Sequence, residues 1–236
     1  MKIAFCTAVW KRPEVFPLFA KGIETLREST NLDVAIIVAG SEGIKSRSMV
    51  EQYPYHYIEV KNDPLATKMN ATTLYAREIG ADYVMCLGSD DIIHPNLFAH
   101  YETQMHRGTD YTAVLDFYFF DIRSRKSVYW AGYRDPRRKG HTCGAGRLIS
   151  ARLMDKWGWA PWQVEHSHIL DNSMQQKLAS TPHSEHIFSC LAHGVHGLDI
   201  KSSTNMTPFA VWDNACEIDP LIIKNQFPYV WDSRSN

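Results

Sequence analysis

The chain has 236 residues, 44% of them hydrophobic, which suits one large α/β domain or one core domain with a C-terminal extension. Its 25 Lys and Arg against 26 Asp and Glu leave a formal net charge of -1, which excludes a globally basic nucleic-acid or membrane-surface binder, and no apolar stretch approaches the ~20 residues of a membrane span. The five cysteines are scattered, odd in number and without CxxC spacing, which argues against a zinc site or a disulfide framework. They fit a reducing, cytoplasmic setting, with Cys6, Cys86 and Cys190 as small core residues.

The opening MKIAFCTAVWKRPE is too short in its apolar part for a signal peptide and lacks a small-residue cleavage site, so residues 2–9 read as a first strand. Helical spacing follows over 14–28, with Pro13 at its first turn. Residues 34–39 read as a second strand, 42–52 as a short helix, 55–60 as a third strand and 66–79 as a helix. A fourth strand at 83–87 and a helix at 95–106 complete a βαβαβαβ rhythm, which predicts a mostly parallel sheet with right-handed crossovers. The fingerprints GxGxxG and GxxxxGK[ST] are absent, so a nucleotide would be held another way.

The fourth strand carries the strongest chemical signal. Its apolar run Tyr83-Val84-Met85-Cys86-Leu87 ends at Gly88-Ser89, and Asp90 and Asp91 follow at once. Open α/β sheets bind ligands beyond the carboxyl ends of their strands. Two acids there are hard oxygen ligands for Mg²⁺ or Mn²⁺, which are typically held by one or two carboxylates plus substrate phosphates. The same pair also reads as a solvated turn with an Asp capping the next helix.

Beyond residue 110 the pattern changes. Residues 111–121 and 126–133 read as an aromatic-rich, hairpin-like pair, 134–141 (RDPRRKGH) as a basic loop, and 142–149 as a lead into a helix at 150–157. A helix at 166–179 and a strand at 187–192 follow. Residues 193–205 are polar and Gly-rich, and from Gly194 to Asn205 they read as a loop that orders on donor binding. The tail, 213–236, carries little pattern and is expected to pack loosely.

Several segments, in order over roughly residues 1–210, resemble the GT-A glycosyltransferases, and the inverting family 2 type in particular. TAVWKRPEVFPLFAKGIETL is similar to that family's first strand and helix. Asn62-Asp63-Pro64 through Lys68-Met69-Asn70, then Ala76-Arg77, resembles the segment before its metal strand, and LGSDDIIHPNLF its metal motif. GAGRLISARLMDKWGW resembles the acceptor-side turn and helix, LDNSMQQKL the helix that opens with the catalytic acid, and LDIKSSTNMTPF the late loop over the site. Two positions depart from the pattern: Gly88 stands where the family has an acid, and the second strand ends Val38-Ala39-Gly40-Ser41, with Glu42 the nearest acid.

The resemblance implies an α/β GT-A (Rossmann-like) fold: a mostly parallel central sheet flanked by helices, with a small antiparallel acceptor-side extension. One domain over 1–212 would divide into a nucleotide-sugar-binding half, 1–108, and an acceptor-side half, 109–212. It implies transfer of a sugar from a nucleotide-diphosphate sugar to a hydroxyl acceptor, whether a glycan, a lipid-linked acceptor or a modified DNA base, assisted by Mn²⁺ or Mg²⁺. Asp91 is the expected metal ligand and Asp90 binds ribose or a metal-bound water. A late ligand comes from His193 or His196, with His196 preferred, unless both are ordinary surface histidines. Asp171 is the expected base and makes the reaction inverting; the macrodipole at its helix start favours the anion, and Glu165 is the second choice, with His166 and His168 nearby.

On the donor side, Ala8 and Arg12 lie at the first strand's end, Lys68 and Asn70 are placed to reach the diphosphate or ribose, and Lys201 with Ser202 and Ser203 closes over the diphosphate. For Arg12, Lys68, Asn70 and Arg77 the plain alternative is a solvated face, and Arg77 is assigned to it. Of Trp157, Trp159 and Trp162, the last two are expected to be exposed and to stack on an acceptor sugar, against the alternative of core packing. Arg134, Arg137, Arg138 and Lys139 contact an anionic acceptor or are solvated. Two rival activities are a sugar-phosphate nucleotidyltransferase, disfavoured because Thr7-Ala8-Val9-Trp10 is not Gly-rich, and a non-catalytic glycan- or nucleic-acid-binding module.

Overall fold

The structure is a computed structural model and describes residues 1–163, 170–205, 209 and 215–233. β1 (Lys2–Ala8) runs through its centre, because KIAFCTA is apolar on both faces. Ile3 and Phe5 point into one core cluster, Ala4 and Cys6 into another, and all four are fully buried. Each large side chain removed from water in this way contributes roughly 1.5–3 kcal/mol.

A seven-stranded sheet is built around β1 in the order β10-β6-β9-β4-β1-β2-β3, the other strands being β2 (Asp33–Gly40), β3 (His56–Glu59), β4 (Tyr83–Cys86), β6 (Tyr111–Val114), β9 (Arg147–Ser150) and β10 (Glu185–Phe188). β4, β1, β2 and β3 are mutually parallel, and β9 runs antiparallel to both β4 and β6. The helices α1 (Phe16–Glu28), α2 (Ile44–Val50), α3 (Leu65–Glu78) and α4 (Pro95–His106) lie between these strands in sequence, and α1 and α3 bury apolar residues in the two core clusters. α1 begins two residues later than the sequence predicts, with Pro17, not Pro13, in its first turn.

A second, five-stranded sheet has the order β12-β8-β7-β11-β5, made of β5 (Asp91–Ile93), β7 (Phe117–Asp121), β8 (Ser127–Trp130), β11 (Gly197–Lys201) and β12 (Ala215–Glu217). The architecture is the expected mixed α/β one, two sheets flanked by helices, although the larger sheet is not purely parallel.

Four expectations change. Residues 111–121 are not one strand, because Asp116, 2% exposed, accepts hydrogen bonds from Tyr129 Oη, Ser189 Oγ and the Cys190 amide and turns the chain from the first sheet into the second. Residues 147–150 form a strand before α5 (Ala151–Lys156). The stretch read as a mobile loop contains β11, whose Leu198 and Ile200 are fully buried on one face by simple alternation. The tail is not loose: α8 (Leu221–Gln226) and α9 (Pro228–Trp231) place Ile223, Phe227 and Val230 in a third core cluster with Ile92, Tyr118 and Phe120. α6 (Leu170–Ser180) and α7 (Cys190–His193) complete the described elements. Cys6, Cys86 and Cys190 are buried as expected, all five cysteines are free thiols, and among the described residues no helix is long and apolar enough to cross a membrane.

Candidate functional site

The carboxyl ends of β1 and β4 open into a cavity of about 540 Å³. Ala8, Arg12, Lys68, Asp90, Asp91, Trp162, Asp171 and Lys201, all nominated from sequence, line it; Asn70, Trp159 and His196 do not.

The acidic end is set by a tight turn after β4. Asp91 Oδ2 accepts from the Gly88 amide at 2.5 Å, which folds the carboxylate back over residue 88. A Cβ at Gly88 would lie 2.4 Å from Asp90 Oδ1 and 2.9 Å from Asp91 Oδ2, so the space beside residue 88 is taken by the two following carboxylates. Asp91 does not stay in a turn: it opens β5 and stands opposite Asp199 of β11 in antiparallel register. Asp199 was missed in the sequence, where it sits in a segment read as loop.

Two cations answer these acids. Arg12 Nη1 lies 3.2 Å from Asp90 Oδ2, an ion pair without hydrogen-bond geometry, since this buried nitrogen has no hydrogen-bond partner. Lys201 Nζ lies 2.5 Å from Asp199 Oδ2. Asn205 also donates to Asp90 Oδ2 at 2.6 Å and accepts from the Ser202 amide at 2.6 Å, pinning the segment after β11 to the acidic turn. Burial, then Asp199 and Asp90, push the Asp91 carboxyl well above the usual carboxylate range. Burial pushes Asp199 up to about 6 against the pull of Lys201. Asp199 Oδ1 is buried with no hydrogen-bond partner. A hard divalent cation fits the facing Asp91 and Asp199 oxygens, although among the described residues no group of three His, Cys, Asp or Glu side chains is arranged as a metal site.

The structure does not bring His196 to that pair. Its carbonyl accepts from the His94 amide at 3.1 Å, beyond the far end of β5, and its ring packs against Tyr118 and His94. Burial and then His94 lower its pKa. His193 is exposed against His100 and Phe188, remote from the acidic turn in the same way.

Lys68 is no solvated residue. It is 1% exposed, and its ammonium donates to the Val9 carbonyl at 2.9 Å, Ser41 Oγ at 3.0 Å and Asn62 Oδ1 at 3.4 Å. All three protons are engaged in tying the ends of β1 and β2 to the segment before α3, and burial lowers its pKa to about 8. Glu42 accepts from the Lys11 amide at 2.6 Å and fixes the turn after β1, which presents Trp10, 42% exposed, at the cavity rim. Arg77 is exposed at the end of α3, as assigned.

Asn70 faces a different partner from the one expected. Its amide donates to the Trp162 carbonyl at 2.8 Å and accepts from the Trp162 amide at 3.2 Å, so it positions a cavity-lining residue. The exposure expected of Trp159 and Trp162 is reversed: they are 3% and 5% exposed. Both pack in the core cluster on the α3 face of the sheet, and Trp159 Nε1 donates to Asp155 at 2.7 Å. Trp157, 9% exposed, is likewise a core residue.

At the other end of the cavity, Asp171 sits in the first turn of α6. Its Oδ1 pairs with Arg147 Nη1 at 3.1 Å, and its Oδ2 accepts from Tyr133 Oη at 3.1 Å and faces Arg138 Nη2 at 3.7 Å. Arg147 is 1% exposed; burial alone would lower its pKa, but the Asp171 charge more than reverses this and the pKa is raised. Gly144 makes room, since a Cβ there would lie 2.8 Å from Asp171 Oδ1. A carboxylate has about four lone-pair positions, so these three contacts leave one for a ligand proton. Glu165, His166 and His168 lie outside the described residues.

No protein-family model matches the chain, and no curated protein matches it. Solved structures do. Staphylococcus aureus TarS residues 1–349 in complex with UDP-GlcNAc aligns with TM-score 0.63 at 11% identity over 87% of this chain and 60% of that one. The same protein in complex with UDP gives 0.60 at 10% identity, over 86% and 61%. The bifunctional IspDF of Campylobacter jejuni gives 0.50 at 13% identity, over 80% and 48%. The chain thus spans about three fifths of the TarS chains it matches, and at these identities the likeness is one of fold.

Proposed function

We propose that this protein is a nucleotide-sugar glycosyltransferase of the inverting, family 2 type, with a donor half over 1–108 and an acceptor half over 109–212. The observation that carries the reading is that an acidic cluster with its own cations and a separate helix-start carboxylate line one cavity beyond the parallel strands. The likeness to a TarS structure in complex with UDP-GlcNAc supports a uridine-type donor.

The nucleotide enters past Trp10 and Ala8, with its diphosphate toward Arg12 and Lys201. Asp91 and Asp199 are the residues that would hold Mg²⁺ or Mn²⁺, and Asp90 orients Arg12 and the ribose. Such an ion, when bound, supplies Lewis-acid neutralisation of the departing diphosphate. Asp171 accepts the proton of the acceptor hydroxyl as its oxygen bonds to the sugar's anomeric carbon. The bond from that carbon to the diphosphate breaks, and its electron pair leaves on the nucleoside diphosphate. Trp162 forms part of the wall against the acceptor. Five free thiols support a reducing, cytoplasmic setting.

Thermal unfolding with Mn²⁺ and a panel of nucleotide diphosphates and their sugars tests this. A donor at 100 times its Kd stabilises by roughly 2.7 kcal/mol, a shift of about 5–10 °C at this size. A shift specific to one base and lost in Asp91→Ala is the expected result. No shift with any nucleotide overturns the reading in favour of a binding module, and release of pyrophosphate instead of nucleoside diphosphate overturns it in favour of nucleotidyl transfer.

A further inference from the structure

The basic loop between β8 and β9 brings one arginine, Arg138, against two cavity-lining residues, Tyr133 and Asp171. Arg138 leaves the exposed run, lays its guanidinium over the Tyr133 ring at 3.6 Å and reaches 3.7 Å from Asp171 Oδ2. Its Nε is buried and has no hydrogen-bond partner, so the fork is only partly satisfied where it stands. Arg134 and Lys139 are exposed on either side of it, whereas Arg137 is engaged by Asp135 at 3.0 Å. In a chain of net charge -1 this short segment concentrates positive charge beside the carboxylate assigned to take the acceptor's proton.

We propose that the acceptor is a sugar or polyol carrying a phosphate group, which Arg138 binds together with Arg134 and Lys139; the inference rests on the glycosyltransferase reading above. A guanidinium fork matches phosphate oxygens in two parallel hydrogen bonds, a stronger partnership than the 3.7 Å contact it has with Asp171. Engaging the phosphate draws Arg138 from Asp171 Oδ2 and adds a second open position to the one already there for the hydroxyl proton. Arg147 stays at 3.1 Å and keeps Asp171 in position. The phosphate therefore selects the acceptor and places it beside the open position of the base. A nucleic-acid phosphate is disfavoured because duplex binding calls for a basic stripe across a surface, and here the excess charge is one loop of a neutral protein.

The test uses the full chain loaded with the nucleoside diphosphate that gives the thermal shift. Glucose 6-phosphate, ribose 5-phosphate and glycerol 3-phosphate are each titrated calorimetrically against their unphosphorylated parents, alongside a twelve-base-pair DNA duplex. At least one phosphorylated compound is expected to bind about tenfold or more tightly than its parent, the gain of one charge-assisted contact. That preference should shrink with added salt and disappear in Arg138→Gln, and fall partly in the surface variant Arg134→Gln/Lys139→Gln, which keeps the nucleotide shift. Equal binding of every phosphorylated compound and its parent overturns the proposal, as does binding of the duplex alone. The nucleotide shift is read in the same samples: its absence fails the glycosyltransferase reading, while its presence without phosphate preference fails only this inference.

Discussion

Asp199 stands directly across from Asp91, the two carboxylates carried on adjacent antiparallel strands, β11 and β5, with Lys201 2.5 Å from Asp199 and, among the described residues, no ion pair on Asp91. Two facing acids repel each other at an electrostatic cost that a divalent cation would remove. Asp199→Asn is expected to weaken Mn²⁺ binding, read directly by electron paramagnetic resonance of free Mn²⁺, by about tenfold or more. His196→Ala should leave it unchanged. The reverse ranking would restore the histidine as the ligand and remove Asp199 from the site.

Gly88 is the second lever on that cluster. A Cβ at this position meets Asp90 Oδ1 at 2.4 Å and Asp91 Oδ2 at 2.9 Å, and neither can recede without losing the Gly88 amide or the Arg12 pair. Gly88→Ala is expected to cost about 1–3 kcal/mol in stability, as overpacking does. It should also abolish the metal-dependent part of the nucleotide shift. A variant of wild-type stability and nucleotide response would show that the turn relaxes freely.

The N-terminal half was legible because its strands are apolar runs and its helices amphipathic, so both the βαβ rhythm and the acids beyond β4 follow from local pattern. Asp199 was not, because β11 is only five residues, Gly197–Lys201, in a polar neighbourhood, and its meaning lies in pairing with a strand over 100 positions earlier. Asn70 misled for a related reason. A polar residue on a buried helix face needs partners, and sequence cannot show that the Trp162 backbone supplies both. Trp159 and Trp162 read as exposed because aromatic faces stack on sugar rings, whereas Asp155 and the α3 face give them an interior, as Thr181 does Trp157. The tail's apolar residues, Ile223, Phe227 and Val230, have nothing local to pack on, and their partner is the second sheet.

Lys68 gives a pH signature. Its pKa is lowered to about 8 by burial, against 10.5 when free. Below about pH 8 it is protonated in both folded and unfolded chains, and its contribution does not vary. Between about pH 8 and 10.5 the unfolded chain holds a proton that the folded one has released, so folding gains stability as pH rises, by roughly 3 kcal/mol over the window. Urea unfolding of wild type and Lys68→Met from pH 7.5 to 10.5 checks this: the difference between the two should shift in favour of wild type as pH rises. A constant difference would mean that Lys68 titrates at its ordinary value.

Asp171 separates chemistry from structure through the choice of replacement. Arg147, buried at 1% exposure, depends on it for an ion pair at 3.1 Å. Asp171→Ala strands that charge and is expected to cost about 3–5 kcal/mol, the penalty of a broken buried pair. Asp171→Asn keeps an oxygen for Arg147 and removes only the capacity to accept a proton, so the fold should survive better. Sugar transfer by Asp171→Asn is expected to fall about 10²–10⁴-fold, the range of general-base catalysis, with the nucleotide shift intact. Transfer at wild-type rate in Asp171→Asn would leave the residue as a support for Arg147 and place the base elsewhere.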